Sequence, residues 1–152
     1  MKRLVSVLFA VLAFASAALA RYPDTKFILT VRQELAVSRQ ATARALWDAV
    51  REAAAAQGFR AKTELDDEEA TIEHRNDGSP DVIVYTIELG EIKRGHDDAD
   101  FDFTVRCRAI DKAVLVAELS WETDADGADG ERHVALYRAL ARRSDLFVQY
   151  GK

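Results

Sequence analysis

The stretch FDFTVRCRA, residues 101–109, alternates apolar and polar side chains more regularly than any other part of the chain. A period of two places one set of side chains on one face of a β-strand and the other set on the opposite face. The stretch therefore predicts a half-buried strand, typical of an antiparallel sheet with one face on the core. Cys107 falls on the apolar face, where a free thiol acts as a small hydrophobic side chain.

Segments with similar patterns lie on both sides of this strand and are separated from it by turn residues. They predict further strands over residues 59–65, 70–75, 82–89 and 113–121. The run Asn76–Pro80 is a strong turn signal, and residues 90–100 form the longest predicted loop. Consecutive strands with short links pair as an antiparallel meander.

The chain before these strands predicts one strand and one helix. Residues 27–37 alternate at period two, and Ser38 is a candidate N-cap for an alanine-rich helix that extends to Gln57. Gly58 stands where a left-handed C-cap residue is expected. An apolar stripe at helical spacing consists of Leu46, Trp47, Val50, Ala53 and Ala54.

A second amphipathic helix is predicted at the carboxyl end, over residues 131–149, after an acidic loop at 124–130. Its apolar side contains Val134, Tyr137, Leu140, Ala141 and Val148. The element order is therefore β-α-β-β-β-β-β-α. Since the apolar face of the sheet must be covered, the sequence predicts an α+β domain whose antiparallel sheet packs against a long C-terminal helix.

The first twenty residues have the three parts of a secretory signal peptide. Residues 2–3 are basic, residues 4–14 form an almost unbroken apolar run, and residues 18–20 match an A-x-A cleavage site. The run is shorter than the roughly 20 apolar residues that span a bilayer, and no cysteine follows for lipid attachment. We therefore expect cleavage near Ala20, a single domain over residues 21–152, and a periplasmic or secreted product without a stable membrane anchor.

The charge balance and the single cysteine exclude some classes of partner and of stabilisation. The chain has 21 basic and 26 acidic residues, a formal net charge of −5, and loss of Lys2 and Arg3 with the signal peptide makes it −7. Such a surface repels phosphate backbones, which argues against nucleic acid as a partner. With Cys107 alone there is no internal disulfide, so a hydrophobic core must stabilise the fold.

Two segments resemble known helix-grip families. ELAVSRQATARALWDAV, residues 34–50, is similar to the opening of START/polyketide-cyclase-like ligand-binding domains, where a strand leads into a helix beginning around a pair such as Leu46-Trp47. ALWDAVREAAAAQGFRAKTELDDEEATIEHR, residues 45–75, resembles the helix-grip domain of the small lipoprotein of outer-membrane barrel assembly, although the lipidated cysteine is missing. The resemblance implies a helix-grip fold and brings no catalytic motif.

The sequence contains no motif that is specific for a catalytic residue, a metal site or a cofactor. The segment His96–Asp102 contains one histidine and four carboxylates, and oxygen-rich loops can hold Ca²⁺ or Mg²⁺. A solvated acidic loop is the simpler interpretation. The segment Asp124–Gly130 does not fit a calcium loop, because Ala128 and Asp129 stand where a ligand and a glycine are required. A metal-dependent enzyme at His96–Asp102 is therefore the third hypothesis.

Four aromatic side chains are expected to point between the sheet and the helices: Trp47, Tyr85, Phe103 and Trp121. In a helix-grip fold this space can hold a ligand, although plain core packing is the commoner arrangement. We therefore expect a non-catalytic binding or interaction module of the cell envelope. It either binds an apolar small molecule through these four residues or acts on an envelope protein, as an accessory or an enzyme inhibitor. An exposed apolar patch over a filled core would favour a protein partner.

Overall fold

The computed structural model describes residues 25–36, 38–95, 101–110, 113–123 and 127–150. The elements in these ranges are β1 (Thr25–Thr30), α1 (Gln33–Ala36), α2 (Arg39–Ala56), β2 (Arg60–Thr63), β3 (Glu69–Glu73), β4 (Val82–Lys93), β5 (Phe101–Ile110), β6 (Ala113–Thr123) and α3 (Gly127–Ala141). The predicted α+β class is confirmed, with an antiparallel sheet and a C-terminal helix packed on it.

The sheet is built around a meander of three long strands, β4, β5 and β6. The strand order is β1-β6-β5-β4-β2, and β3 pairs with the other half of β4. β1 pairs with β6 through partners such as Phe27 and Trp121. β2 and β3 therefore share one edge of the sheet, while β1 forms the opposite edge.

The core lies between one face of the sheet and the helices α2 and α3. Phe103 and Cys107 of β5 are buried there together with Leu46 of α2 and Leu140 of α3. This confirms that Cys107 faces inward. β5 is therefore the half-buried strand that the sequence predicts, because one of its faces contacts the helices and the other does not.

Helix α2 begins and ends where the sequence predicts. Ser38 occupies the N-cap position, but its side chain makes no capping hydrogen bond. At the other end, Gly58 has a φ of 82°. The N–H of Gly58 donates to Ala55 O and the N–H of Phe59 donates to Ala54 O, the pair of bonds that defines a Schellman motif. The predicted glycine C-cap is confirmed.

The first strand is shorter than predicted. β1 ends at Thr30, and the segment Gln33–Ala36 forms the short helix α1 instead of continuing the strand to residue 37, which lies outside the described residues. The sequence of α1 contains good helix formers. Its N-terminal neighbour Arg32 donates its N–H to Leu146 O, which turns the chain from the sheet toward α2.

The predicted loop over residues 90–100 is wrong for residues 90–93, which belong to β4. They pair with both β2 and β5 across a β-bulge between Glu88 and Gly90. The bulge shifts the alternation by one residue, so that the apolar positions no longer follow a simple period of two. Residues 96–100 lie outside the described residues.

Two further boundaries differ from the predictions. The C-terminal helix runs over Gly127–Ala141 rather than 131–149, and Phe147 forms a bridge with Val31 of the sheet. Val148 is consequently exposed, not part of an apolar helix side. All four residues of β2 are exposed, so the inward face that the sequence predicts for this strand is wrong within Arg60–Thr63.

The side chain of Trp47 packs against the bulge in β4. A Cβ atom added to Gly90 would lie 2.3 Å from Lys62 O and 2.7 Å from Cζ2 of Trp47, and Gly90 has a φ of 149°. The indole N–H of Trp47 donates to Thr63 Oγ1 at 2.8 Å. A side chain at position 90 therefore requires both the edge strand and the indole to move.

We expect Gly90→Ala to lower the free energy of unfolding by about 2–3 kcal/mol, as overpacking of a filled site does. Urea denaturation followed by tryptophan fluorescence measures the change. Gly78→Ala is the matched control, because Gly78 also has a positive φ, 81°, but nothing lies within 4 Å of the added Cβ. Equal losses in the two variants would show that backbone strain, and not the contact with Trp47, sets the requirement.

His133 of α3 is completely buried among aromatic rings. Its ring centroid lies 5.0 Å from that of Phe59 and 6.5 Å from that of Phe27. Burial lowers the pKa of His133 from its ordinary value of 6.5 to about 4, against a small opposing effect of the Asp129 charge. The imidazole is therefore neutral in the folded protein at neutral pH, because burial disfavours the charged form.

The lowered pKa predicts a loss of stability in acid. Above pH 6.5 His133 is neutral in both states, whereas between pH 6.5 and 4 the unfolded chain takes up the proton and the folded protein does not. We expect this to remove about 3 kcal/mol of stability at pH 4 relative to pH 7. The free energy of unfolding should change less between pH 4 and pH 7 in His133→Leu than in the original protein. An equal change in the two proteins would contradict this prediction.

Candidate functional site

Three of the four predicted ligand-binding residues lie together in the core. The ring of Phe103 stands between two indoles, with centroids 5.9 Å from Trp47 and 4.9 Å from Trp121. The stack continues to Phe27, whose ring centroid is 5.0 Å from that of Trp121. Trp47, Phe103 and Trp121 are each at most 1% exposed. Their side chains fill the space between sheet and helices with one another.

Tyr85 is partly buried and belongs to a different cluster. The guanidinium of Arg39 lies 3.8 Å from the centre of the Tyr85 ring, and it pairs with both carboxylate oxygens of Glu68 at 2.5 and 2.8 Å. The hydrogen bonding that Arg39 donates to Glu68 raises the pKa of Arg39. This stacked and bidentate arrangement fixes the start of α2 to β4 and to the segment before β3.

Cys107 is the cross-strand partner of Tyr85 and lies beneath this cluster. Burial raises the pKa of its thiol, against a lowering effect of Arg39. A reactive cysteine needs a lowered pKa and access to solvent. Cys107 has neither property and is a core residue. The use of Trp47, Tyr85, Phe103 and Trp121 in ligand binding stays a prediction.

An open groove of about 750 Å³ lies near the carboxyl end of the chain. It lies where the end of β1, the helix α1 and the C-terminal tail meet. We call it the tail groove, and it is lined by Arg32, Gln33, Glu34, Ser144, Phe147, Val148 and Gln149. A volume of this size is within the range of known binding sites.

Hydrogen bonds hold the walls of the tail groove in place. The N–H of Val148 donates to Thr30 O at 2.9 Å, and Gln149 Nε2 donates to Ala141 O at 2.9 Å. Arg32 donates to Ser144 O at 3.0 Å and forms an ion pair with Glu34 at 2.9 Å. The charges at the rim are therefore paired with each other, and the pairing with Arg32 lowers the pKa of Glu34.

A second, apolar depression of about 280 Å³ adjoins the tail groove at Glu34. It is lined by Glu34, Leu35, Ser38, Ala41, Thr42, Ala45 and Leu146. Three large apolar side chains of β1 and the tail are exposed, Ile28, Val148 and Tyr150, which we call the edge patch. Val148 donates its N–H to Thr30 O, and the Tyr150 hydroxyl lies 2.8 Å from Thr30 Oγ1, two residues along β1 from Ile28. Among the side chains that the structure describes, Ile72 is the one other exposed residue of this kind.

Sequence reasoning did not find the tail groove. The strand predicted to residue 37 and the helix predicted to residue 149 placed its walls inside regular elements. A signal was present in the run Arg142–Asp145, since four consecutive polar residues interrupt the apolar side of the predicted helix. The bridge between Val31 and Phe147 has no local sequence signal, because its partners are far apart in the chain.

The structure describes little of the predicted metal loop. Residues 96–100 of His96–Asp102 lie outside the described residues. In the part of the chain that is described, no three histidine, cysteine or acidic side chains are grouped as a metal would need. No helix in that part is both long and apolar enough to cross a membrane.

Comparison of the chain with protein-family models, with curated proteins and with solved structures found no match. The resemblance to helix-grip families therefore stays a prediction, beyond the α+β class and the antiparallel sheet.

The packing of the buried rings predicts that shortening one of them lowers the free energy of unfolding. We expect Phe103→Leu to lower the free energy of unfolding by about 1–2 kcal/mol, because part of a filled space is emptied. Tyr85→Leu should cost about 1 kcal/mol, since Tyr85 is only partly buried and loses mainly the contact with Arg39. Urea denaturation measures both changes. A Phe103→Leu variant as stable as the original would indicate an interior with spare room, as a ligand cavity requires.

Proposed function

We propose that the protein is a non-catalytic interaction module of the cell envelope, and that it binds a protein partner at the tail groove and edge patch. The observation that carries the proposal is the distribution of apolar side chains. Three of the predicted ligand-binding aromatics pack against one another in the core, while among the side chains that the structure describes the exposed apolar residues Val148 and Tyr150 both belong to the tail, and Val148 lines the tail groove. Grouped exposed apolar side chains are typical of interaction sites.

The chemistry of the tail groove favours a particular kind of partner segment. Phe147 and Val148 supply apolar surface, and the rim charges of Arg32 and Glu34 already neutralise each other. A charged ligand would have to break this ion pair, whereas an apolar side chain flanked by polar residues would not. The partner is therefore expected to insert a short apolar segment.

The predicted signal peptide supports the envelope as the proposed place of action. The basic start, the apolar run and the A-x-A site of residues 1–20 motivate this part of the proposal. The binding of an apolar small molecule between sheet and helices is the competing version. It requires that the aromatic stack around Phe103 opens, because the rings now occupy that space.

A photo-crosslinking residue placed at position 33 or 148 in the full chain tests the proposal in the cells that make the protein. We expect one discrete protein adduct from both positions. The matched control is position 72, because Ile72 is 58% exposed and Val148 is 40% exposed. Val148→Glu should abolish the adduct formed from position 33, since a buried unpaired charge opposes apolar docking. Ile72→Glu should leave this adduct unchanged.

Two results would contradict the proposal. Adducts that form equally from position 72 would show that exposure alone produces them. A co-purifying apolar molecule, seen by native mass spectrometry and lost in Phe103→Leu, would move the binding site to the interior.

A further inference from the structure

Aspartate is followed directly by glycine at three places in the chain, which are Asp77-Gly78, Asp126-Gly127 and Asp129-Gly130. Such a pair is reactive because glycine has no Cβ to hinder attack of its own backbone nitrogen on the neighbouring carboxyl group. This attack closes a succinimide ring. The first and the third pair lie within the described residues, whereas Asp126 lies outside them. The two described pairs have very different surroundings.

The pair Asp77-Gly78 lies in the loop that joins β3 to β4. Both residues are exposed, and both stand outside every helix and strand of this part of the chain. Gly78 has a φ of 81°, and nothing lies within 4 Å of a Cβ atom added there. Exposed loop tips are the places where a fold tolerates local change best. The backbone nitrogen of Gly78 can therefore approach the Asp77 carboxyl group without disrupting a regular element.

The pair Asp129-Gly130 is held in place by its surroundings. It lies at the start of α3, with Asp129 in the first turn, and Gly130 is buried. The Asp129 carboxylate forms an ion pair with Arg94 at 2.7 Å and lies 3.6 Å from Nε of Arg132. Ring closure here would have to break the ion pair with Arg94 and distort the first turn of the helix.

We propose that Asp77 is a site of spontaneous isoaspartate formation in the folded protein, and that Ser79 slows the reaction. The Gly78 nitrogen attacks Cγ of the protonated Asp77 carboxyl group, a C–N bond forms, and the amide proton and the carboxyl hydroxyl leave as water. Water then opens the succinimide at either carbonyl group. One opening restores aspartate, and the other gives isoaspartate, in which the main chain passes through Cγ. This chemistry is independent of the partner proposed for the tail groove.

Hydrogen bonds from Ser79 hold the Asp77 side chain in the unreactive form. Asp77 Oδ1 accepts the hydroxyl of Ser79, and it also accepts the backbone N–H of Ser79 at 3.0 Å. These bonds, with a smaller effect of the positive charge of Arg75, lower the pKa of Asp77, because they favour the ionised carboxylate. The carboxylate has no hydroxyl group to lose, so ring closure proceeds through the protonated acid.

The modification leaves the sheet intact. Isoaspartate adds one atom to the main chain between residues 77 and 78. His74 Nδ1 and Asp81 Oδ2 lie 2.9 Å apart closer to the strands, and the pairing of Glu73 with Val82 begins beyond them. The added atom therefore lies outside the ladder between β3 and β4. We expect modified molecules to stay folded and to accumulate as the protein ages.

Prolonged incubation of the purified protein in mildly acidic buffer tests this inference. Trypsin then releases residues 76–93, in which Asp77 is the one aspartate followed by glycine, and residues 113–132, which contain Asp126 and Asp129. Electron-transfer fragmentation gives different ions for aspartate and isoaspartate, so it assigns the product to a position. We expect isoaspartate at position 77 and none at position 129. The rate should fall in mildly alkaline buffer, where less of the carboxyl group is protonated.

Ser79→Ala removes the hydroxyl that Asp77 accepts. It should raise the rate at position 77 by about threefold to tenfold, as the loss of one charge-assisted hydrogen bond does. Ser79→Thr keeps a hydroxyl group and is the matched control, with the rate of the original protein. Absence of isoaspartate at position 77 would overturn the proposed site, and equal amounts at positions 77 and 129 would show that the surroundings do not select it. An unchanged rate in Ser79→Ala would overturn the role of Ser79.

Discussion

The contact between Trp47 and the backbone of Gly90 connects every layer of the protein. The indole of α2 lies against a bulge that only a residue without Cβ permits, and its N–H bonds to Thr63 on the edge strand. From Trp47 the packing continues through Phe103 and Trp121 to Phe27 at the opposite edge. One row of rings thus crosses the sheet from edge to edge. Because packed interiors transmit strain, a shift in the bulge would be transmitted along these rings to β1.

Features that depend on neighbouring residues were predicted better than features that depend on distant ones. The alternation of residues 101–109 and the glycine C-cap of α2 depend on neighbours in sequence, and the structure confirms both. The bulge in β4, the turn of β1 into α1 and the end of α3 depend on partners far along the chain. Leu146, for example, accepts a hydrogen bond from Arg32, so no window of ten or fifteen residues contains both groups.

The same dependence on partners far apart in the chain explains how much of the candidate site could be predicted from the sequence. Aromatic residues on predicted inner faces can be counted from the sequence, and Trp47, Phe103 and Trp121 do lie between the sheet and helices. Whether such rings leave a cavity depends on their mutual fit, which the sequence does not contain. The tail groove arises where the chain that follows β1 meets the C-terminal tail at one edge of the sheet. Its residues are ordinary ones, and only the tertiary structure makes them neighbours.

The pairing of β1 with β6 sets the order in which the chain can fold during synthesis. Phe27 cannot pair until Trp121, ninety-four residues later, has been synthesised, and Val31 cannot pair until Phe147 has been synthesised. β1 therefore leaves the ribosome early and is paired last, while the β4–β6 meander can assemble from neighbouring segments. Contacts between such distant residues slow folding. In a growing chain β1 consequently stays without its partner strand until most of the protein has been made.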